Sequence, residues 1–215
     1  MWRDRDLDQV LPLRSIAAAL ALLALPAWSD HQSDPLASRS VGRADAPVVV
    51  YEMSDFQCPY CRQFALTIFP TLRREFVQTG KVRFVYINLP LPEIHRHAVA
   101  AAAVAMCAAR QNKFWPLHDL LFQRQERWAA EKEPGSYLLA LADSAGADTA
   151  QLAQCLTSRA TEPEIRADAA RAVRAGAHST PTFYIEGGLL EGAAPVDAFR
   201  QVLDSIYRSK TARVR

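Results

Sequence analysis

The sequence predicts a mixed α/β domain in which a block of four or five helices separates the second strand of the sheet from the third. Two apolar, β-branched runs, 47–53 (PVVVYEM) and 81–89 (KVRFVYINL), lie on either side of a segment with helical periodicity. Only helical patterns follow over about 93–177, and strand patterns return at 182–191. The first strand–helix–strand unit requires a right-handed parallel crossover, and the last two strands form an antiparallel hairpin.

The elements before the helical block follow from residue spacing and from proline and glycine positions. Residues 30–46 are mostly polar and are expected to form a flexible lead-in. Apolar side chains recur every fourth residue over Phe64–Phe76, which predicts a helix over 59–77. Pro70 lies inside this helix and is expected to kink it, because proline lacks the N–H that a helix interior uses.

The helical block and the C-terminal part contain clear start and stop signals. Helices are predicted over 97–110, from Asn112 onward, over 136–145, from Asp148 to 158 and from Thr161 to 176, with the named residues as N-caps. Gly187 and Gly188 mark the hairpin turn, and Pro195 begins the last helix. The domain is therefore expected to span 47–208, with 209–215 as a C-terminal tail.

Composition fits one globular domain without a nucleic-acid-binding surface. The chain has 215 residues, of which 50% are hydrophobic, so it can bury a sizeable core. Its 25 Lys and Arg side chains nearly balance 23 Asp and Glu, giving a net charge of +2. Basic side chains form no block along the sequence, which argues against a nucleic-acid partner.

The N-terminal residues 1–29 are predicted to be a signal peptide that directs the protein to the periplasm. An apolar run, Ile16–Leu25, follows Arg14 and precedes small residues at Ala27 and Ser29. The run is shorter than the ~20 residues that span a bilayer. Three aspartates among the first eight residues are unusual in such a leader. A start downstream of Met1, an uncleaved anchor and an ordinary buried helix therefore stay open as alternatives.

Cys58 and Cys61 form a Cys-x-x-Cys pair at the predicted start of a helix, and this pair is the expected redox centre. Free N–H groups and the helix dipole stabilise a thiolate at the first cysteine, whereas the second lies one turn further in and is more shielded. Pro59 suits the first helical turn, and Tyr60 completes the loop. Half a zinc site, a copper site or a purely structural disulfide are alternatives, but a second pair of metal ligands is missing from the sequence.

Two further segments carry a family resemblance. The segment 54–61 (SDFQCPYC) resembles the active-site segment of DsbA-like thiol:disulfide oxidoreductases, and 176–183 (GAHSTPTF) resembles their cis-proline loop. Between them, residues 107–119 also match the family, at Cys-Ala-Ala, Lys-Phe-Trp and His-Asp. The resemblance covers about 44–208 and implies a thioredoxin fold with an all-helical insertion over about 93–177.

The resemblance also implies roles for three residues near the cysteines. The Thr180–Pro181 bond should be cis and face the thiols, with the Thr180 backbone offered to the substrate chain. Glu52 should lie beneath the site and relay a proton for Cys61. An ordinary strand entry at Pro181 and a solvent-exposed Glu52 are the alternatives. Among the histidines, only His178 is expected to line the redox surface.

Cys107 and Cys155 are the two remaining cysteines, and a structural disulfide between them is expected. They lie on different predicted helices of the insertion, outside any Cys-x-x-Cys motif. An even cysteine count in an exported chain favours bridging. Two buried free thiols are the alternative.

The expected function is that of an extracytoplasmic dithiol oxidase acting on exported, cysteine-containing proteins. The resemblance implies reoxidation by a membrane quinone-linked thiol oxidase of the DsbB or VKOR type, without a diffusible cofactor or a metal. A monomer is expected, because about 17 residues between Ser29 and the first strand leave no room for a dimerisation domain. An isomerase or reductase is the alternative within this class, and a metal-binding or chaperone module is the alternative outside it.

Overall fold

A five-stranded mixed sheet lies at the centre of the chain. The structure is a computed structural model that describes residue 34 and residues 36–212. The strands are β1 (Ser40–Val41), β2 (Val48–Ser54), β3 (Val82–Asn88), β4 (Thr182–Ile185) and β5 (Gly188–Glu191). Their spatial order is β1-β3-β2-β4-β5, and only β2 and β3 run parallel. The predicted α/β class, with its parallel crossover and terminal hairpin, is confirmed.

The crossover helix α1 occupies residues 59–77 and contains two wide turns. α-Helical segments Pro59–Gln63 and Phe69–Leu72 alternate with π-helical segments Phe64–Ile68 and Arg73–Val77. The N–H of Phe69 donates to the carbonyl of Phe64, five residues earlier. A π turn therefore precedes Pro70, whose missing N–H and ring disfavour regular α geometry. The irregularity was expected at Pro70, but its form as a π turn was not.

The insertion contains six helices rather than the predicted four or five. They are α2 (Ala98–Ala109), α3 (Phe114–Gln123), α4 (Gln125–Ala130), α5 (Gly135–Ser144), α6 (Thr149–Thr157) and α7 (Glu162–Arg174). The extra helix arises because Arg124 leaves helical geometry, at φ −105° and ψ 9°. Asp148 caps α6 as predicted, accepting from the N–H of Gln151 at 2.8 Å. Asn112 is not a cap: its φ is 58°, and α3 begins after Lys113.

The lead-in predicted over 30–46 contains regular structure over residues 37–41. Residues Ala37–Arg39 form a 3-10 turn, and β1 then pairs antiparallel with the outer edge of β3. The Arg39 side chain is buried and forms an ion pair with Asp168 of α7, with one hydrogen bond of 3.0 Å. The side-chain amide of Asn88 also donates to Asp168 at 2.9 Å. A charge buried in this way needs its partner, so the segment is held in place.

The last helix, α8 (Val196–Ala212), extends four residues past the predicted domain end at 208. Its final turn is held by contacts to the rest of the molecule and to itself. Lys210 forms an ion pair of 2.6 Å with Glu186, and the Thr211 hydroxyl donates to the Tyr207 carbonyl at 2.9 Å. Residues 209–212 of the predicted tail are thus helical.

A disulfide joins α2 and α6 within the insertion. The Sγ atoms of Cys107 and Cys155 are 2.04 Å apart, and the two residues are 48 positions apart in sequence. Closing a loop of this length stabilises the folded state by about 4 kcal/mol in the chain-entropy treatment.

The predicted signal peptide, residues 1–29, lies outside the described residues. Within the described residues, no helix combines the length and the apolar character that crossing a membrane requires.

Candidate active site

Cys58 lies at the N-cap of α1, and Cys61 lies one turn inside the helix. Cys58 has extended backbone geometry, and Pro59 occupies the first helical position. The Cys58 thiol donates to the carbonyl oxygen of Thr180 at 3.2 Å, and it is 4% exposed. Cys61 has no exposed surface, and the backbone N–H of Asp55 donates to its sulfur at 3.5 Å. The two thiols are therefore unequal in access and in hydrogen bonding.

The pKa values of the two thiols diverge in the direction that this geometry requires. Hydrogen bonding with the Cys61 thiol, with the Thr180 side chain and with the N–H groups of Cys61 and Tyr60 together lowers the pKa of Cys58 to about 6, against the opposing effect of burial. Burial raises the pKa of Cys61 well above its usual value, and the neighbouring Cys58 raises it again. These shifts favour a thiolate at Cys58 over one at Cys61.

The loop before β4 faces the first cysteine. The Thr180–Pro181 peptide bond is cis, and Thr180 is buried with its carbonyl directed to the Cys58 thiol. The structure thus brings Cys58, Thr180 and Pro181 together. His178 is exposed in the same loop. Tyr60, within the Cys-x-x-Cys loop, is 62% exposed, so the cysteines are next to an accessible aromatic side chain.

Glu52 is buried in β2 and does not reach solvent. It pairs with Tyr86 on one neighbouring strand and with Phe183 on the other. Burial raises the pKa of Glu52 to about 8. The pKa of Tyr86 is also raised, mainly by burial and additionally by the charges of Cys61 and Glu52. Glu52, Tyr86 and Cys61 are thus all buried, and Tyr86 lies near enough to the other two for their charges to affect its pKa.

Two side chains that the sequence analysis did not assign hold the cysteine loop in place. Gln125, buried in α4, donates from Nε2 to the carbonyl oxygens of Phe56 and Cys58 at 2.7 and 2.9 Å. Asp55 accepts three hydrogen bonds beneath the same loop. Asp55 lies inside the 54–61 motif and could have been selected from it. Gln125 lies in no motif, so only the structure reveals its contacts.

Replacing Gln125 by methionine tests how much the insertion stabilises the cysteine loop. Methionine has a similar length but no donor, so the buried Phe56 carbonyl loses the Gln125 bond, while the Cys58 carbonyl keeps the N–H of Arg62. We expect the free energy of unfolding to fall by about 2 kcal/mol. Urea denaturation measures this change. Gln123→Met, at an exposed position two residues away, is the control. Equal stabilities of the two variants would contradict the role of Gln125.

Comparisons with known proteins agree with this geometry. The family described as thioredoxin matches residues 35–205. The probable disulfide bond formation protein D of Bacillus anthracis is 30% identical over 168 residues, which make up 77% of this chain and 76% of that protein. The crystal structure of oxidised BdbD from Bacillus subtilis is similar with a TM-score of 0.70 and 25% identity, covering 79% of this chain and 92% of that one.

A second kind of relative is much longer than this chain. The Na(+)/H(+) antiporter NhaA 3 of Salinispora tropica is 34% identical over 182 residues, which are 85% of this chain but 26% of the antiporter. This chain thus spans about a quarter of that relative's length. The family match, the strand order and the position of the cysteine pair at the start of α1 all indicate the same family. The chain therefore belongs to the thioredoxin family, in the DsbA-like group that carries a helical insertion.

Proposed function

We propose that this protein is a dithiol oxidase that introduces disulfides into exported proteins by exchange at Cys58 and Cys61. The observation that carries the proposal is the unequal pair of thiols, with the pKa of Cys58 lowered to about 6 and that of Cys61 raised. A stabilised Cys58 thiolate stabilises the reduced enzyme, which makes the enzyme disulfide a stronger oxidant. The disulfide bond formation proteins among its relatives support the same direction of exchange.

The proposed reaction consists of two thiol–disulfide exchanges. A substrate thiolate attacks Sγ of Cys58, the Cys58–Cys61 bond breaks, and its electron pair leaves with Cys61, which then takes up a proton. A second substrate thiolate attacks the substrate sulfur of the mixed disulfide, and Cys58 leaves as a thiolate. The substrate has gained a disulfide, and the enzyme holds two electrons as a dithiol. The low pKa of Cys58 makes it a good leaving group in the second exchange.

The contact between Cys58 and the cis-proline loop supports a polypeptide substrate. Cys58 contacts the Thr180 carbonyl, so a substrate thiolate that reaches Cys58 meets the backbone of the cis-proline loop. We assign Thr180 and Pro181 to substrate docking and Glu52 to proton exchange with Cys61. The roles of Pro59 and Tyr60 are to start the helix and to present an exposed ring at the loop.

The proposed site of action is the periplasm, reached through the signal peptide over residues 1–29. The Cys107–Cys155 disulfide supports an oxidising compartment, because such bonds are rare in the cytosol. Continuous turnover needs an acceptor for the two electrons. A membrane quinone-linked thiol oxidase of the DsbB or VKOR type is the proposed acceptor, and the protein is proposed to act as a monomer.

Equilibration with glutathione tests the direction of exchange. The Cys58–Cys61 pair is brought to equilibrium with glutathione buffers, and the reduced fraction is read by thiol alkylation and mass. We expect a potential near the oxidising end of the family, about −120 mV, rather than about −270 mV as in thioredoxin. A value at the reducing end would contradict the oxidase assignment and favour a reductase.

A further inference from the structure

Asp55 is a fully buried carboxylate that joins two loops at the active site. Its Oδ1 accepts from the N–H of Gln57 at 2.7 Å, which fixes the loop that leads into Cys58. Its Oδ2 accepts from the N–H of Leu91 at 2.9 Å and lies 2.9 Å from Nδ1 of His95. Leu91 and His95 belong to the loop after β3. The two oxygens thus have three partners, and the carboxylate is held from both sides.

The backbone N–H of this same residue points at the buried thiol. Asp55 N lies 3.5 Å from Sγ of Cys61, and the N–H donates to the sulfur. This hydrogen bond lowers the pKa of Cys61 against the opposing effect of burial, and hydrogen bonding with Cys61 in turn lowers the pKa of Cys58. The Asp55 N–H is therefore coupled to Cys58 through Cys61. Each bond in a chain of hydrogen bonds polarises the next.

His95 is the side-chain partner of Asp55, and it is partly exposed at the protein surface. Its side chain is 15% exposed, whereas that of Asp55 has no exposure. Because a carboxylate only accepts hydrogen bonds, Nδ1 of His95 carries the shared proton. The His95 backbone N–H donates to the Leu91 carbonyl at 2.9 Å, so a tight turn positions the ring. Without the ring, Oδ2 keeps a single partner, and the Asp55 backbone gains freedom to move away from Cys61.

We propose that Asp55 and His95 form a positioning pair that holds the Asp55 N–H against Cys61 and thereby sets the redox equilibrium of the cysteine pair. The proposal rests on the dithiol exchange described above. Neither residue contacts the substrate sulfur. The pair acts by fixing a donor on the sulfur that must leave as a thiolate when substrate attacks Cys58. The same donor also makes the Cys61 thiol more acidic and so a stronger hydrogen-bond donor to the Cys58 thiolate.

His95→Ala tests the positioning of the Asp55 N–H without changing the charge of the Asp55 side chain. Replacing Asp55 would also remove a negative charge close to Cys61, and that change alone favours a thiolate. His95→Ala keeps the Asp55 charge and removes only a hydrogen-bond partner at a partly exposed position. His95→Asn is the matched rescue variant, because its side-chain amide nitrogen stands where Nδ1 stands and donates in the same direction.

Two measurements test the pair. The equilibrium constant with glutathione reports the redox poise, and thiolate absorbance at 240 nm against pH reports the pKa of Cys58. We expect His95→Ala to shift the equilibrium toward the disulfide by about three- to tenfold and to raise the pKa of Cys58. A tenfold shift corresponds to about 30 mV. We expect His95→Asn to recover most of the wild-type equilibrium.

A double-mutant cycle with Asp55→Asn provides a second test of the pair. If the histidine acts through the carboxylate, His95→Ala has little further effect in the Asp55→Asn background. Thermal unfolding of each variant reports any structural loss. An equilibrium constant within twofold of wild type, a failed rescue by asparagine, or additive effects in the cycle would each overturn the proposal. A wild-type potential near that of thioredoxin overturns the oxidase assignment instead, while the difference between wild type and variant still tests the pair.

Discussion

Cys58→Ser is expected to lose turnover by roughly a thousandfold or more and to form no mixed disulfides, because the exchange passes through a covalent bond to this sulfur. Cys61→Ser is expected to lose turnover as well but to keep a reactive thiolate that captures substrates. The reason is that Cys58 at the N-cap of α1 keeps the N–H groups of residues 60 and 61, which lower its pKa, after the Cys61 thiol has been replaced by a hydroxyl, whereas Cys61 is buried with a raised pKa.

Iodoacetamide labelling of the two single variants across pH measures this difference. The remaining thiol of Cys61→Ser should react at lower pH than that of Cys58→Ser. Cys107→Ala/Cys155→Ala is the control, since it removes a disulfide away from the site and should keep turnover at temperatures where it stays folded. Faster labelling of Cys61 at low pH, or better capture of substrates by Cys58→Ser, would reverse the assigned roles.

Glu52→Gln is expected to be more stable than the wild-type protein at alkaline pH by about 4 to 5 kcal/mol. The pKa of Glu52 rises from its usual 4.5 to about 8 on folding, because burial disfavours the charge. The folded state therefore keeps a proton that the unfolded state loses. Stability from this group is complete below pH 4.5 and is lost by about 1.4 kcal/mol per pH unit as the pH rises to about 8. Glutamine has no such loss.

Urea unfolding of the oxidised proteins between pH 4 and 9 measures this effect. The oxidised form is used because a disulfide removes the titration of Cys58 and Cys61. Glu133→Gln, at an exposed position, is the control and should follow wild type at every pH. Parallel stability curves for wild type and Glu52→Gln would contradict a buried, titrating Glu52. The same variant should also show slower turnover with an altered pH profile, if Glu52 exchanges a proton with Cys61.

Local patterns predict the centre of this fold well. The strands β2 and β3 are recognisable because their β-branched runs are largely buried, and near-continuous apolar runs of this length are typical of strands inside a sheet. The place of Cys58 at a helix start is also local, since Pro59 and the following helical periodicity define it. The terminal hairpin follows from Gly187 and Gly188. In each case the information lies within a few residues of the element itself.

Features that depend on distant partners could not be predicted in this way. Arg39 is polar and precedes the first strand pattern, so it suggests a mobile segment until its partner, 129 residues away, is known. The sequence likewise suggests that Gln125 is an exposed helical residue, although its side chain donates to the carbonyl oxygens of Phe56 and Cys58. The hydrogen bonds of Asp55 to Leu91 and His95 depend on how two loops meet. Such contacts are properties of the assembled fold.

The ion pair between Arg39 and Asp168 affects the order in which parts of the chain can fold during synthesis. A ribosome delivers Arg39 long before Asp168, so Arg39, which directly precedes β1, lacks its buried ion-pair partner until α7 has been made. During that interval the outer edge of β3 has no neighbour, because β1 is the strand that covers it. An uncovered strand edge is where unfinished chains pair with one another and aggregate. The segment Ala37–Val41, although synthesised early, is therefore among the last to be fixed in place, and a nascent chain must be kept from its own copies until then.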